Sequence, residues 1–90
     1  MYYVYILTNK NNSVLYTGMT YSLEKRVSEH YYRKFKGFTS KYNVNKLVFY
    51  ETYLDWRSAF VRERQIKRWS RVKKLKLINM MNKDLVNLAE

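Results

Sequence analysis

The sequence predicts a small α/β domain: a three-stranded antiparallel sheet flanked by helices, in the order β-β-α-β-α-α. Three observations predict it. Two runs of β-branched and aromatic residues near the N-terminus are separated by a cluster of turn formers, the pattern of a hairpin. A third such run, Leu47-Val48-Phe49-Tyr50, lies between segments of helical periodicity. The 90 residues hold no proline, no repeat and no linker, so the chain forms one layered unit around one modest core.

The first strand covers Tyr3 to Leu7 and the second much of Val14 to Met19, with Thr8-Asn9-Lys10-Asn11-Asn12-Ser13 turning between them. A loop centred near Lys10 or Asn11 sets Tyr5 and Tyr16 opposite each other or one residue out of step. Ser22 is placed to cap a helix from Leu23 to about Arg33, with Leu23, Val27 and Tyr31 on its apolar stripe. Arg26 and His30, four apart, border that stripe one turn above the other. A loop with Gly37, Thr39 and Ser40 follows, then the third strand, ending near Tyr53.

Asp55 is placed to cap a second helix, Trp56 to Trp69, with apolar positions Trp56, Ala59, Phe60, Ile66 and Trp69. One position of that stripe is acidic, Glu63, while the opposite side carries Arg57, Arg62, Arg64, Lys67 and Arg68. A last helix is read around Val72, Leu75, Ile78 and Met81. The domain is assigned to residues 1–82, with 83–90 as a tail that extends the helix through Leu85 and Leu88.

Charge is the strongest global signal. Eighteen Lys and Arg against seven Asp and Glu give a formal net charge of +11, which favours a polyanionic partner, nucleic acid ahead of an anionic membrane surface. Charge by itself does not separate DNA from RNA, or a binder from an enzyme. The absence of Cys excludes disulfides and thiolate zinc sites, and a single His leaves almost no ligands for zinc. No apolar run has the ~18 residues of a membrane span. Met1 to Tyr5 lacks the basic start of a secretory signal, so a cytoplasmic location is expected.

Glu63 is the least comfortable residue for structure alone. A charged, unpaired carboxylate on an apolar helix face costs several kcal/mol, so it needs an arginine partner such as Arg26, a proton or a bound cation. The remaining acids, Glu24, Glu29, Glu51, Asp55, Asp84 and Glu90, are scattered along the chain, with Glu24, Glu29 and Asp84 expected at solvent. A two-metal site is therefore not expected. One divalent ion on Glu63 is, and Mg²⁺ suits it because it accepts one carboxylate plus water and phosphate oxygens. Arg26 could clamp a phosphate, or be a solvated charge; His30 could move a proton near neutral pH, or be an ordinary core-edge histidine. Among so many tyrosines Tyr5 and Tyr16 stand out by position, and a tyrosine base would need its pKa lowered by ~3 units, ~4 kcal/mol, by nearby cations. Gly18 closes the second strand, where a missing side chain marks either a strand end or a place for a phosphate to approach the backbone.

Together these residues resemble the GIY-YIG nuclease superfamily, and in particular its small single-domain members. Tyr3-Val4-Tyr5 and Tyr16-Thr17-Gly18 correspond to its two tripeptides, Arg26 and His30 to the helix that follows, and Arg62-Glu63-Arg64-Gln65-Ile66-Lys67-Arg68-Trp69 to the later helix with the metal-binding glutamate. Tyr3 stands where the family has Gly, and Thr17 where it has Ile. The resemblance implies a metal-dependent endonuclease that hydrolyses DNA, including branched or damaged forms, to a 5′-phosphate and a 3′-hydroxyl. It implies catalytic roles for Tyr5, Tyr16, Arg26, His30 and Glu63, with one Mg²⁺ or Mn²⁺ on Glu63. Arg64, Lys67 and Arg68 are expected to bind the nucleic acid, and no membrane or obligate protein partner is expected. The alternative is a basic nucleic-acid-binding module on the same scaffold, without chemistry.

Overall fold

The computed structural model of the chain describes residues 1–32, 37 and 41–89. Strands β1 (Tyr2–Thr8), β2 (Leu15–Thr20) and β3 (Lys46–Tyr53) form one antiparallel sheet in the spatial order β2-β1-β3. Helices α1 (Leu23–Tyr31), α2 (Trp56–Lys67) and α3 (Arg71–Met81) complete the expected order β-β-α-β-α-α among the described residues. The central strand is covered on both faces, which is why Val4 through Thr8 form an unbroken buried run instead of alternating. Val4 and Ile6 pack with Val48, Ala59, Ile66 and Ile78 on the α2 and α3 side. Tyr5 and Leu7 pack with Val27, Val44 and Leu47 on the α1 side.

The hairpin register differs from both expected alternatives. Tyr5 pairs with Gly18, and Tyr16 with Leu7, two residues out of step. The side chain of Asn9 causes the shift: its Oδ1 accepts from the N–H groups of Ser13 at 2.8 Å and Val14 at 3.2 Å. Asn12 takes a positive φ of 58°, so the turn sits later in the chain than Lys10 or Asn11. An offset of two keeps Tyr5 and Tyr16 on one face as diagonal neighbours, whereas an offset of one would have put them on opposite faces.

The helices also depart from expectation in places. Ser22 stands at the start of α1 but makes no side-chain cap; the Thr20 hydroxyl instead accepts from its N–H at 3.1 Å. The covered strip of α1 runs through Val27 and His30, leaving Tyr31 exposed. Arg33, Thr39 and Ser40, the expected helix end and loop, lie outside the described residues. Asp55 caps α2 as expected, accepting from the Ser58 N–H at 2.8 Å. Its buried face is Ala59, Glu63 and Ile66, while Trp56 and Phe60 lie outside the core. Trp69 falls beyond the helix end, with the Lys73 ammonium 4.3 Å from its ring centre. Arg62 is not on a free basic face: it holds Glu51 of β3 through two hydrogen bonds of 2.9 and 3.0 Å.

Ser70 caps α3, whose one buried residue is Ile78; Val72 and Met81, expected on its apolar face, are exposed. Residues 83–89 are not helical. Buried Asn82 donates to the carbonyls of Val48 and Val86, and the Leu88 N–H donates to Leu47 O at 2.8 Å. Leu85 and Leu88 thereby pack on opposite sides of the sheet, so residues 83–89 belong to the same packed unit as the rest.

Candidate active site

The site begins where the central strand β1 meets the edge strand β2. Tyr5 is 1% exposed, and its ring lies over the backbone of Gly18. A Cβ at residue 18 would sit 2.5 Å from Tyr5 Oη and 2.6 Å from Cζ. Beside the two expected readings of this glycine, a strand end or room for a phosphate, the fold supplies another: its missing side chain makes room for the Tyr5 phenol. Tyr16, half-buried on the same face, has its ring centre 6.4 Å from that of Tyr5.

Helix α1 brings His30 to the two phenols. Its Nε2 is 3.2 Å from Tyr5 Oη in a buried hydrogen bond, and its ring centre is 5.5 Å from that of Tyr16. Burial lowers the His30 pKa below the ordinary imidazole range, and the Arg26 guanidinium lowers it further against the opposing pull of Glu29. His30 is therefore neutral at neutral pH. A neutral imidazole with a bare Nε2 accepts the Tyr5 O–H. Burial raises the Tyr5 pKa strongly; the phenol of Tyr16 and the carboxylates of Glu63 and Glu29 push it the same way, and Arg26 opposes them. The expected lowering of a tyrosine pKa by cations is thus reversed at Tyr5, because desolvation outweighs the single guanidinium. Arg26 itself is half-buried and ion-paired with Glu29, its Nε 3.4 Å from Oε1. Glu29 is therefore not the solvated residue the sequence suggested.

Helix α2 supplies Glu63. It points into the protein, 9% exposed, and its charge is felt at Tyr5. Of the expected partners, arginine is not the one it takes: Lys67, one turn on, places Nζ 3.4 Å from Oε2. Lys67 was expected to face nucleic acid, and it is half-exposed while it holds this contact. Arg64 and Arg68 are exposed as expected. Among the described residues no three His, Cys, Asp or Glu side chains gather into a metal cage. A single inward carboxylate whose charge reaches Tyr5 is a donor set that Mg²⁺, which keeps most of its waters, would accept, and it offers too few ligands for structural zinc.

Residues 1–76 match the GIY-YIG catalytic domain. The chain belongs to the GIY-YIG family. It is 43% identical to a UPF0213 protein of Clostridium perfringens, an alignment covering 88% of this chain and 84% of that one. It is 40% identical to a UPF0213 protein of Staphylococcus haemolyticus, covering 86% and 93%. It also resembles the solution NMR structure of a UPF0213 protein from Bacillus halodurans, with a TM-score of 0.60 and 31% identity over 97% of this chain and 93% of that one. As a GIY-YIG domain the chain is of nuclease type and directed at nucleic acid. No helix among the described residues is long and apolar enough to cross a membrane.

Within this GIY-YIG domain the fold brings Tyr5, Tyr16 and His30 into mutual contact and places Arg26 and Glu63 within electrostatic reach of Tyr5. Two features of this region were not legible beforehand. Glu29 is the acid that holds Arg26, and its i, i+3 spacing was a signal that could have found it. Thr17, facing the α2 side of β2, leaves Oγ1 buried with no hydrogen-bond partner. It stands where the motif has isoleucine, and that departure was the available signal. A groove of about 1120 Å³ lies elsewhere on the α1 face between Tyr3, Leu23, Tyr31, Tyr50 and Leu88 and does not include this cluster.

Proposed function

We propose that the chain is a metal-dependent endonuclease that hydrolyses DNA phosphodiester bonds, leaving a 5′-phosphate and a 3′-hydroxyl. The observation that carries this reading is the buried Tyr5–His30 hydrogen bond, with the inward Glu63 carboxylate felt at Tyr5, in a chain of this family. Glu63 is the residue that would hold one Mg²⁺ or Mn²⁺ ion, and a bound ion would supply neutralisation of charge on the phosphate.

The chain's own residues can move the proton. Tyr5 is held as a neutral phenol and His30 as a neutral imidazole, 3.2 Å apart. The attacking water gives its proton to Tyr5 Oη as the phenolic proton passes to His30 Nε2. A full phenolate then never accumulates in a site that disfavours it. The new P–O bond forms, the bond to the 3′ oxygen breaks, that oxygen takes a proton from solvent, and His30 returns its proton to solvent. Arg26 stabilises the negative charge that grows on the phosphoryl oxygens, and Glu29 keeps its guanidinium oriented.

A second reading, binding without chemistry, is favoured by one observation: Lys67 already neutralises Glu63 without an ion. Incubation of the protein and of Glu63→Gln with plasmid and branched DNA in Mg²⁺, then Mn²⁺, separates the two. The enzyme reading expects cutting by the parent alone. Equal nicking by both proteins identifies a contaminant, and no cutting under any condition leaves the binding module.

A further inference from the structure

Helix α2 carries a feature that hydrolysis leaves unused. Trp56 and Phe60 stack with ring centres 4.8 Å apart and planes 14° from parallel. Neither ring is in the core: Trp56 is 52% and Phe60 37% exposed. Arg64, one turn further on, lies with Cζ 5.6 Å from the Phe60 ring centre. Three flat groups follow one another along the helix surface.

Their position is tied to Glu63. At 3.6 residues per turn, Trp56, Phe60 and Lys67 all lie within about 60° of Glu63 around the helix axis. A rise of ~1.5 Å per residue sets Phe60 roughly 4.5 Å, and Trp56 roughly 10 Å, along the axis from Glu63. That corresponds to about one to three base steps of a stacked strand, at ~3.4 Å of rise each.

Charge decides the occupant. The exposed surface of α2 and its C-cap bears Arg57, Arg64, Lys67 and Arg68, and the one acid on the helix is the inward Glu63. Flat apolar rings beside exposed Arg57, Arg64 and Arg68, with Lys67 shared with Glu63, suit a polyanion with flat apolar faces, namely unpaired nucleobases joined by phosphates. We propose that Trp56 and Phe60 form a stacking platform for unpaired bases of single-stranded DNA, seating a strand beside Glu63. The proposal rests on the DNA-cleaving reading and sharpens its substrate. Bases inside a duplex have both faces covered, so the platform selects DNA with an unpaired stretch next to the scissile phosphate.

The test reads binding, without metal and in a Glu63→Gln background, so that it does not depend on cleavage. Fluorescence anisotropy compares a short single-stranded oligothymidylate with a duplex of the same length. Adding Trp56→Ala and Phe60→Ala is expected to weaken single-strand binding about ten-fold, while duplex binding changes less than about two-fold. Trp56→Tyr with Phe60→Tyr should restore most of the affinity, because the rings remain. With Trp69→Phe added to the parent, oligothymidylate should quench the fluorescence of Trp56. Unchanged single-strand affinity, an equal loss on both ligands, or the absence of quenching overturns the platform alone. Failure of the Glu63→Gln parent to bind either DNA at low salt overturns the DNA reading with it. A dimer that dissociates on removal of the two rings would assign them to a protein contact and also overturn the proposal.

Discussion

Gly18→Ala offers a direct test of how the site is built. The added Cβ would meet Tyr5 Oη at 2.5 Å and Cζ at 2.6 Å, where carbon contacts normally need ~3.5 Å or more. The Tyr5 ring must therefore move by about 1 Å, yet it is 1% exposed and fixed by its bond to His30. Overpacking of this kind costs about 1–3 kcal/mol. Loss of the hydrogen bond adds about 1 kcal/mol. Restriction of the unfolded chain on replacing glycine offsets about 0.4–1 kcal/mol. The net expectation is a destabilisation of about 1–3 kcal/mol, or a fall in Tm of roughly 5–20 °C for a domain of this size. Urea and thermal unfolding of the variant measure it directly. Tyr5→Ala in the same chain removes the clashing ring, so the cost of Gly18→Ala should nearly vanish there, a coupling that a double-mutant cycle isolates. If Gly18→Ala alone stays within about 0.5 kcal/mol of the parent, or the cycle shows no coupling, the close approach of Tyr5 to Gly18 is wrong.

Other expectations follow from single features of the fold. Thr17→Val removes a buried hydroxyl with no partner at nearly constant shape, and should stabilise the protein by about 1 kcal/mol in urea unfolding; destabilisation would mean that the hydroxyl has a partner. His30 has a folded pKa below its unfolded value of ~6.5, so the unfolded chain binds the proton first. Stability should be full above about pH 6.5 and decline as pH falls from there through the folded pKa. His30→Gln should flatten that decline, and an unchanged acid limb would remove His30 as its source. Replacing Arg64, Lys67 and Arg68 together by Ala should reduce the slope of log affinity for duplex DNA against log salt by up to about 3 if all three meet phosphates. An unchanged slope would place the duplex on another face.

Much of the fold was legible because each element announces itself locally. β-branched and aromatic runs marked the strands, and Asp55 marked the start of α2 through a cap that depends only on its own neighbours. Glu63 drew attention for the same kind of reason, a charge at an apolar position, and it does point inward. Tertiary contacts overruled local pattern elsewhere. Leu85 and Leu88 continue a helical spacing, but Asn82 ends α3 and the tail is drawn back over the sheet. Trp56 and Phe60 read as core residues on period alone, but the strip that meets the sheet runs through Ala59, Glu63 and Ile66.

By itself the sequence determined the order of strands and helices, the positive surface and the side chains available for chemistry, since these depend on composition and on neighbours a few positions apart. Only the tertiary structure decided the seat of the Tyr5 phenol on Gly18 and its hydrogen bond to His30. It also decided the protonation states, keeping the phenol of Tyr5 and the imidazole of His30 neutral. The physical reason is that desolvation and close approach arise from groups distant in sequence, and their balance is struck when the faces of the sheet are covered.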